Sequence, residues 1–89
     1  MTPTVHPAAP AAAIEAHIAA LLTDIAPGAD LTRINRTGNL REELDIDSMD
    51  FLRLVQGLDA RVHVAIPEAD YGKVATLDDM ITYVAARLR

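Results

Sequence analysis

The stretch LDIDSMDFLRLVQGLDARV, residues 44–62, sets one serine among aspartates and then becomes a run of large apolar residues. At ~100° per residue, Phe51, Leu52, Val55, Leu58 and Val62 share one broad sector, with Leu54 at its edge. The opposite side carries Met49, Arg53, Gln56, Gly57 and Ala60. That pattern predicts an amphipathic helix from about Ser48 to Val62. Asp47 or Ser48 can cap it, a contribution of about 0.5–2 kcal/mol. Asp47 suffices as the cap, with Asp50 at the third helical position in a box-like arrangement. Ser48 then becomes the first helical residue, its hydroxyl free and pointing outward. Met49 is a hydrophobe set toward solvent, on one stripe with Arg53 and Gln56.

Upstream, Ile14, Ile18, Leu21, Leu22 and Ile25 fall at i, i+4, i+7, i+8 and i+11, one face of a second helix. Pro10 suits its first turn, and Pro27-Gly28 stops it. Residues 1–9, rich in Pro, Ala and Thr, are expected to be a disordered tail, leaving 10–89 as one helical domain. Residues 28–46 have no sustained period, but Leu31, Ile34, Leu40 and Leu44 are spaced to pin a long loop across the helix ends. Within it, NLREEL suits a single helical turn capped by Asn39.

Downstream, HVAIP (63–67) reads as a short extended link with Ile66 buried. EADYGKV (68–74) forms at most a short helix, weakened by Gly72. Thr76 caps a last helix whose early acids, Asp78 and Asp79, suit its dipole. Leu77, Met80, Ile81, Val84 and Leu88 mark its inner face. The expected fold is therefore all-α: a small four-helix bundle with a long first loop and a short third helix.

Composition narrows the function. The chain has 89 residues, 51% hydrophobic but only 3% aromatic, so there is room for one modest core and not for a deep substrate cleft. It has no cysteine, which excludes disulfides and thiolate metal sites; thiol chemistry would need an added group. A net charge of −5 without a basic stripe argues against nucleic acid and favours basic partner surfaces. No apolar run approaches the ~20 residues of a membrane span, and the first residues do not read as a signal peptide. A cytoplasmic monomer is the expectation.

Ser48 is not convincing as a catalytic nucleophile. Such a serine needs a base within reach, and neither His6, His17 nor His63 is placed beside it by spacing. Metal binding by Asp45, Asp47 and Asp50 fails too. An EF-hand counted from Asp45 needs glycine and glutamate where Asp50 and Gln56 stand.

The tetrapeptide Asp47-Ser48-Met49-Asp50 resembles the D-S-[LM]-D motif of acyl carrier proteins. The wider stretch LREELDIDSMDFLRLVQGLDARVHVAIPEADYGKVATLDDMITYV is similar as well, with Ile66-Pro67, Lys73-Val74 and Thr76-Leu77 where the family has equivalents. The likeness runs from about Ala11 to Leu88. It implies that Ser48, flanked by Asp47 and Met49, carries 4′-phosphopantetheine, placed there from coenzyme A by a phosphopantetheinyl transferase. The arm's thiol would hold acyl groups as thioesters and deliver them to loading and transfer enzymes with basic docking surfaces, in fatty-acid, polyketide or related lipid synthesis. The protein would be their substrate carrier, not itself an enzyme.

By the same resemblance, Asp47, Met49, Asp50, Arg53, Gln56 and Asp59 form the docking surface. Leu58, Val62, Ile66, Tyr71, Val74 and Ile81 would line an acyl slot, positions equally suited to plain core. Arg53 and Arg61 stand where common fatty-acid carriers usually have acids, and Ala60 replaces another, which points to a specialised carrier. Two alternatives stay open: a peptidyl or aminoacyl carrier for nonribosomal synthesis, and an unmodified helical adaptor whose acidic face binds a basic partner.

Overall fold

The structure, a computed structural model, describes residues 9–88. In chain order it contains α1 (Ala9–Ile25), α2 (Leu40–Glu43), α3 (Ser48–Val62), a 3-10 helix (Glu68–Val74) and α4 (Leu77–Arg87), and no strand among the described residues. The all-α bundle expected from periodicity is present. The short third helix takes the tighter 3-10 form, and α2 is the single turn anticipated in the long loop. Ala9 already belongs to α1; the rest of the expected tail lies outside the described residues. Among the described residues no helix is long and apolar enough to cross a membrane.

Helices α2, α3 and α4 each begin where a side chain satisfies free N–H groups, whereas Pro67 opens the 3-10 helix without a side-chain cap. Asn39 Oδ1 accepts from Arg41 N at 3.0 Å and Glu42 N at 3.3 Å, Asp47 Oδ1 from Asp50 N at 2.8 Å, and Thr76 Oγ1 from Asp79 N at 3.0 Å. The stops are local as well. Past α1, Gly28 takes a φ of 93°, which disfavours any side chain, and α3 ends on His63 in a left-handed cap at φ 60°.

Helices α3 and α4 both pack on α1, and the 3-10 helix packs on α4. Between them Ile14, Ile18, Leu22, Leu54, Leu58, Val74, Leu77, Met80 and Val84 form a core that holds no buried polar side chain among the described residues. The α3 face differs from the one read from sequence. Leu54, placed at the edge, is fully enclosed, whereas Leu52 is half-buried. Gly57, assigned to the solvent side, faces α1: a Cβ there would collide with the Leu21 side chain. Lacking a side chain, Gly57 lets the two helices close together, and α3 is rotated toward it and away from Leu52.

The long loop is pinned as its leucines suggested. Leu31 and Leu40 are buried, Ile34 and Leu44 half-buried. Polar ties that the pattern did not reveal add to this. Arg36 reaches Glu15 of α1 (Nη2–Oε1 3.0 Å) and Asp78 of α4 (Nε–Oδ1 2.8 Å), while Asp78 N donates to Arg36 O at 3.2 Å.

A second clasp joins the 3-10 helix to α4. Tyr83 O–H donates to Asp70 Oδ2 at 2.6 Å, Lys73 Nζ stands 3.4 Å from Asp70 Oδ1, and the Arg87 guanidinium lies 3.5 Å over the Tyr83 ring. The Tyr83 hydrogen bond holds Asp70 below its ordinary value of 3.8, and the same bond, with burial, holds Tyr83 above 10.0. The stability from Asp70 is therefore present above pH 3.8 and lost as pH falls through its lowered value. That from Tyr83 is present below pH 10.0 and lost as pH rises through its raised value. Tyr83→Phe is expected to lower the melting temperature at pH 7 and to flatten both the acid and the alkaline decline. Urea denaturation across pH checks this; an unchanged pH profile in the variant would discount the clasp.

Candidate functional site around Ser48

Ser48 is the first residue of α3 and is exposed. Because Asp47 makes the cap bond, the serine hydroxyl has no capping task. The turn delivering it is well determined: Asp45 N donates to Glu42 O at 3.3 Å and Ile46 N to Arg41 O at 2.9 Å. Asp45 takes a φ of 55°, a left-handed conformation that aspartate adopts more readily than most residues. Ile46 is buried, which anchors the turn two residues before the serine.

Beside Ser48 lies a cavity of about 530 Å³. Asn39 and Arg41 form one wall; Ser48, Met49, Phe51 and Leu52 form a second; Glu68, Tyr71, Gly72 and Ala75 complete it from the 3-10 helix and the residue after it. The walls are tied in pairs. Leu40 N donates to Ala75 O at 2.7 Å, and Phe51 meets Tyr71 edge to face, ring centroids 5.6 Å apart at 71°.

The residues picked out by sequence fall into two groups. Met49 is 60% exposed, and Asp47, Arg53, Gln56 and Asp59 are exposed around it. Asp50 is half-buried, its Oδ1 3.9 Å from Arg53 Nη1. The six residues suggested for an acyl slot mostly belong to the core: Leu58 and Val74 are fully enclosed, Ile66 and Ile81 are buried, and Val62 is half-buried. Only Tyr71 of the six lines the cavity at Ser48. The cavity residues Asn39, Arg41 and Glu68 were missed, since nothing in the spacing of a four-residue turn shows where it will lie.

No histidine lines this cavity. His17 Nδ1 sits 3.3 Å from Arg61 Nη1, and His63 occupies the α3 cap. Among the described residues no group of three or more His, Cys, Asp or Glu is placed to hold a metal ion. The arrangement offers an accessible hydroxyl with no histidine base of its own, at the positive end of a helix, where a phosphate is favoured. It suits a hydroxyl that receives a group from another enzyme better than one that attacks a substrate unaided.

Comparison with known proteins agrees with this chemistry. Residues 16–84 match the family model described as phosphopantetheine attachment site. An acyl carrier protein of Chlamydia felis (strain Fe/C-56) is 33% identical over 60 residues, covering 67% of this chain and 77% of its own. One from Chlamydia caviae (strain ATCC VR-813 / DSM 19441 / 03DC25 / GPIC) is 32% identical over 60 residues, covering 67% and 78%. The chain belongs to the acyl carrier protein family and is a carrier whose covalent cofactor is 4′-phosphopantetheine.

Proposed function

We propose that Ser48 is the attachment point and that the protein delivers acyl groups to partner enzymes. The observation that carries this reading is the exposed Ser48 hydroxyl, released from capping by Asp47 and opening onto the cavity. Ser48 Oγ attacks the pyrophosphate phosphorus that bears the pantetheine of coenzyme A. The P–O–P bond breaks, adenosine 3′,5′-bisphosphate leaves, and a base of the phosphopantetheinyl transferase takes the hydroxyl proton, leaving a phosphodiester on the serine. When bound, the cofactor provides a terminal thiol that holds an acyl group as a thioester. The chain's own work is to present the serine on a fixed turn and to shelter the arm's first segment. Asp47 and Met49 flank the attachment point.

Partner enzymes dock on the outer face of α3. Asp47, Asp50 and Asp59 attract basic surfaces, Met49 supplies an apolar contact, and Gln56 adds a polar one. Arg53, 67% exposed at its side chain, repels partners built for a uniformly acidic helix. The carrier thus serves a dedicated lipid or polyketide route, as a monomer in the cytoplasm. An acyl chain passing inward between α3 and the 3-10 helix would part the Phe51–Tyr71 contact before reaching Leu58, Val62, Ile66, Val74 and Ile81.

The test is intact mass after incubation with coenzyme A and a broad-specificity phosphopantetheinyl transferase. One phosphopantetheinyl addition is expected. No addition with several transferases would leave an unmodified helical adaptor as the better reading.

A further inference from the structure

We propose that Arg41 holds the phosphodiester of the cofactor arm, an inference that rests on Ser48 being the attachment point. Arg41 and Glu68 are the two charged residues lining the cavity, so Arg41 is its cation. Other cations are engaged elsewhere: Arg36 with Glu15 and Asp78, Lys73 with Asp70, Arg53 with Asp50, Arg87 on the Tyr83 ring. Among the described residues no salt bridge involves Arg41. Its neighbours Glu42 and Glu43 do not face it along the turn, and Glu43 accepts from Asn35 N at 2.8 Å.

Its backbone is fastened at both ends. Arg41 N donates to Asn39 Oδ1 at 3.0 Å, and Arg41 O accepts from Ile46 N at 2.9 Å, two residues before Ser48. The guanidinium therefore stems from a point held relative to the serine. A phosphodiester on Ser48 places a permanent negative charge between Asp47 and Asp50 in the chain and in the same cavity as Glu68. An unpaired guanidinium in the same cavity offsets that repulsion, and its planar donors match phosphate oxygens. The phosphodiester is the group Arg41 meets, because it is bonded to the Ser48 oxygen and cannot leave; the acyl cargo rides at the far end of a flexible arm.

The experiment is a cycle of four melting temperatures: apo and holo forms of the wild type and of Arg41→Gln, with intact mass confirming full modification of each holo sample. Arg41→Gln is expected to lower the holo protein's melting temperature by roughly 2–5 °C more than the apo protein's. The difference should shrink in 1 M salt, as a partly exposed pair is screened. The phosphorus-31 resonance of the holo protein should move in Arg41→Gln and return part of the way in Arg41→Lys. Equal effects on apo and holo forms with an unmoved resonance would overturn the role of Arg41. A wild type that gains no mass would instead overturn the attachment at Ser48.

Discussion

Ser48→Ala is expected to gain no phosphopantetheinyl mass at all, yet to stay within about 0.5 kcal/mol of the wild type in stability, as exposed substitutions usually do. The two results belong together. Asp47 accepts the bond from Asp50 N that starts α3, so removing the serine hydroxyl costs the helix nothing it uses. Asp47→Ala has the reverse profile: it keeps the Ser48 hydroxyl and the mass gain, and loses about 0.5–2 kcal/mol, the worth of a cap. Intact mass and urea denaturation of both variants read the comparison. Mass gained by Ser48→Ala would falsify the assignment, because another hydroxyl would then be the acceptor. A Ser48→Ala protein as destabilised as Asp47→Ala would make the serine part of the cap.

A large stability effect is expected at Leu54. Leu54→Ala should cost about 2–5 kcal/mol, since a fully enclosed leucine leaves a cavity when truncated. Small domains have only about 5–15 kcal/mol in total. Leu52→Ala should cost about 1 kcal/mol or less, because that side chain is half-buried beside the cavity. Denaturation midpoints of the pair test the rotation of α3 directly: similar losses would restore the face inferred from periodicity alone.

Periodicity was a good guide to α1, α3 and α4 because each buries one apolar stripe, and a stripe is visible in sequence. Capping chemistry was equally legible: Asn39, Asp47 and Thr76 each act as the residue type suggested. Helix orientation was less so. Hydrophobic spacing scores glycine as neutral, yet at Gly57 the missing side chain draws α1 close and turns α3. The site was half legible. The junction at Ser48 could be read, because acids, a hydroxyl and an apolar run are adjacent in sequence. The cavity could not, because Arg41, Tyr71 and Ala75 converge only through tertiary contacts such as Leu40 N to Ala75 O. Tyr83 was hidden for a related reason: its hydroxyl reaches Asp70, thirteen residues earlier on another element.

The Leu40–Ala75 hydrogen bond has a consequence for how the domain opens. The four-residue α2 and the 3-10 helix are each too short to persist alone. They borrow order from one another across that bond and from α4 through the Tyr83 clasp. The loop before Ser48, α2 and the 3-10 helix therefore depend on one another and on α4, and their amides are expected to exchange faster than those in the middle of α1, α3 and α4. The surroundings of Ser48 are thus expected to loosen and re-form before the long helices open.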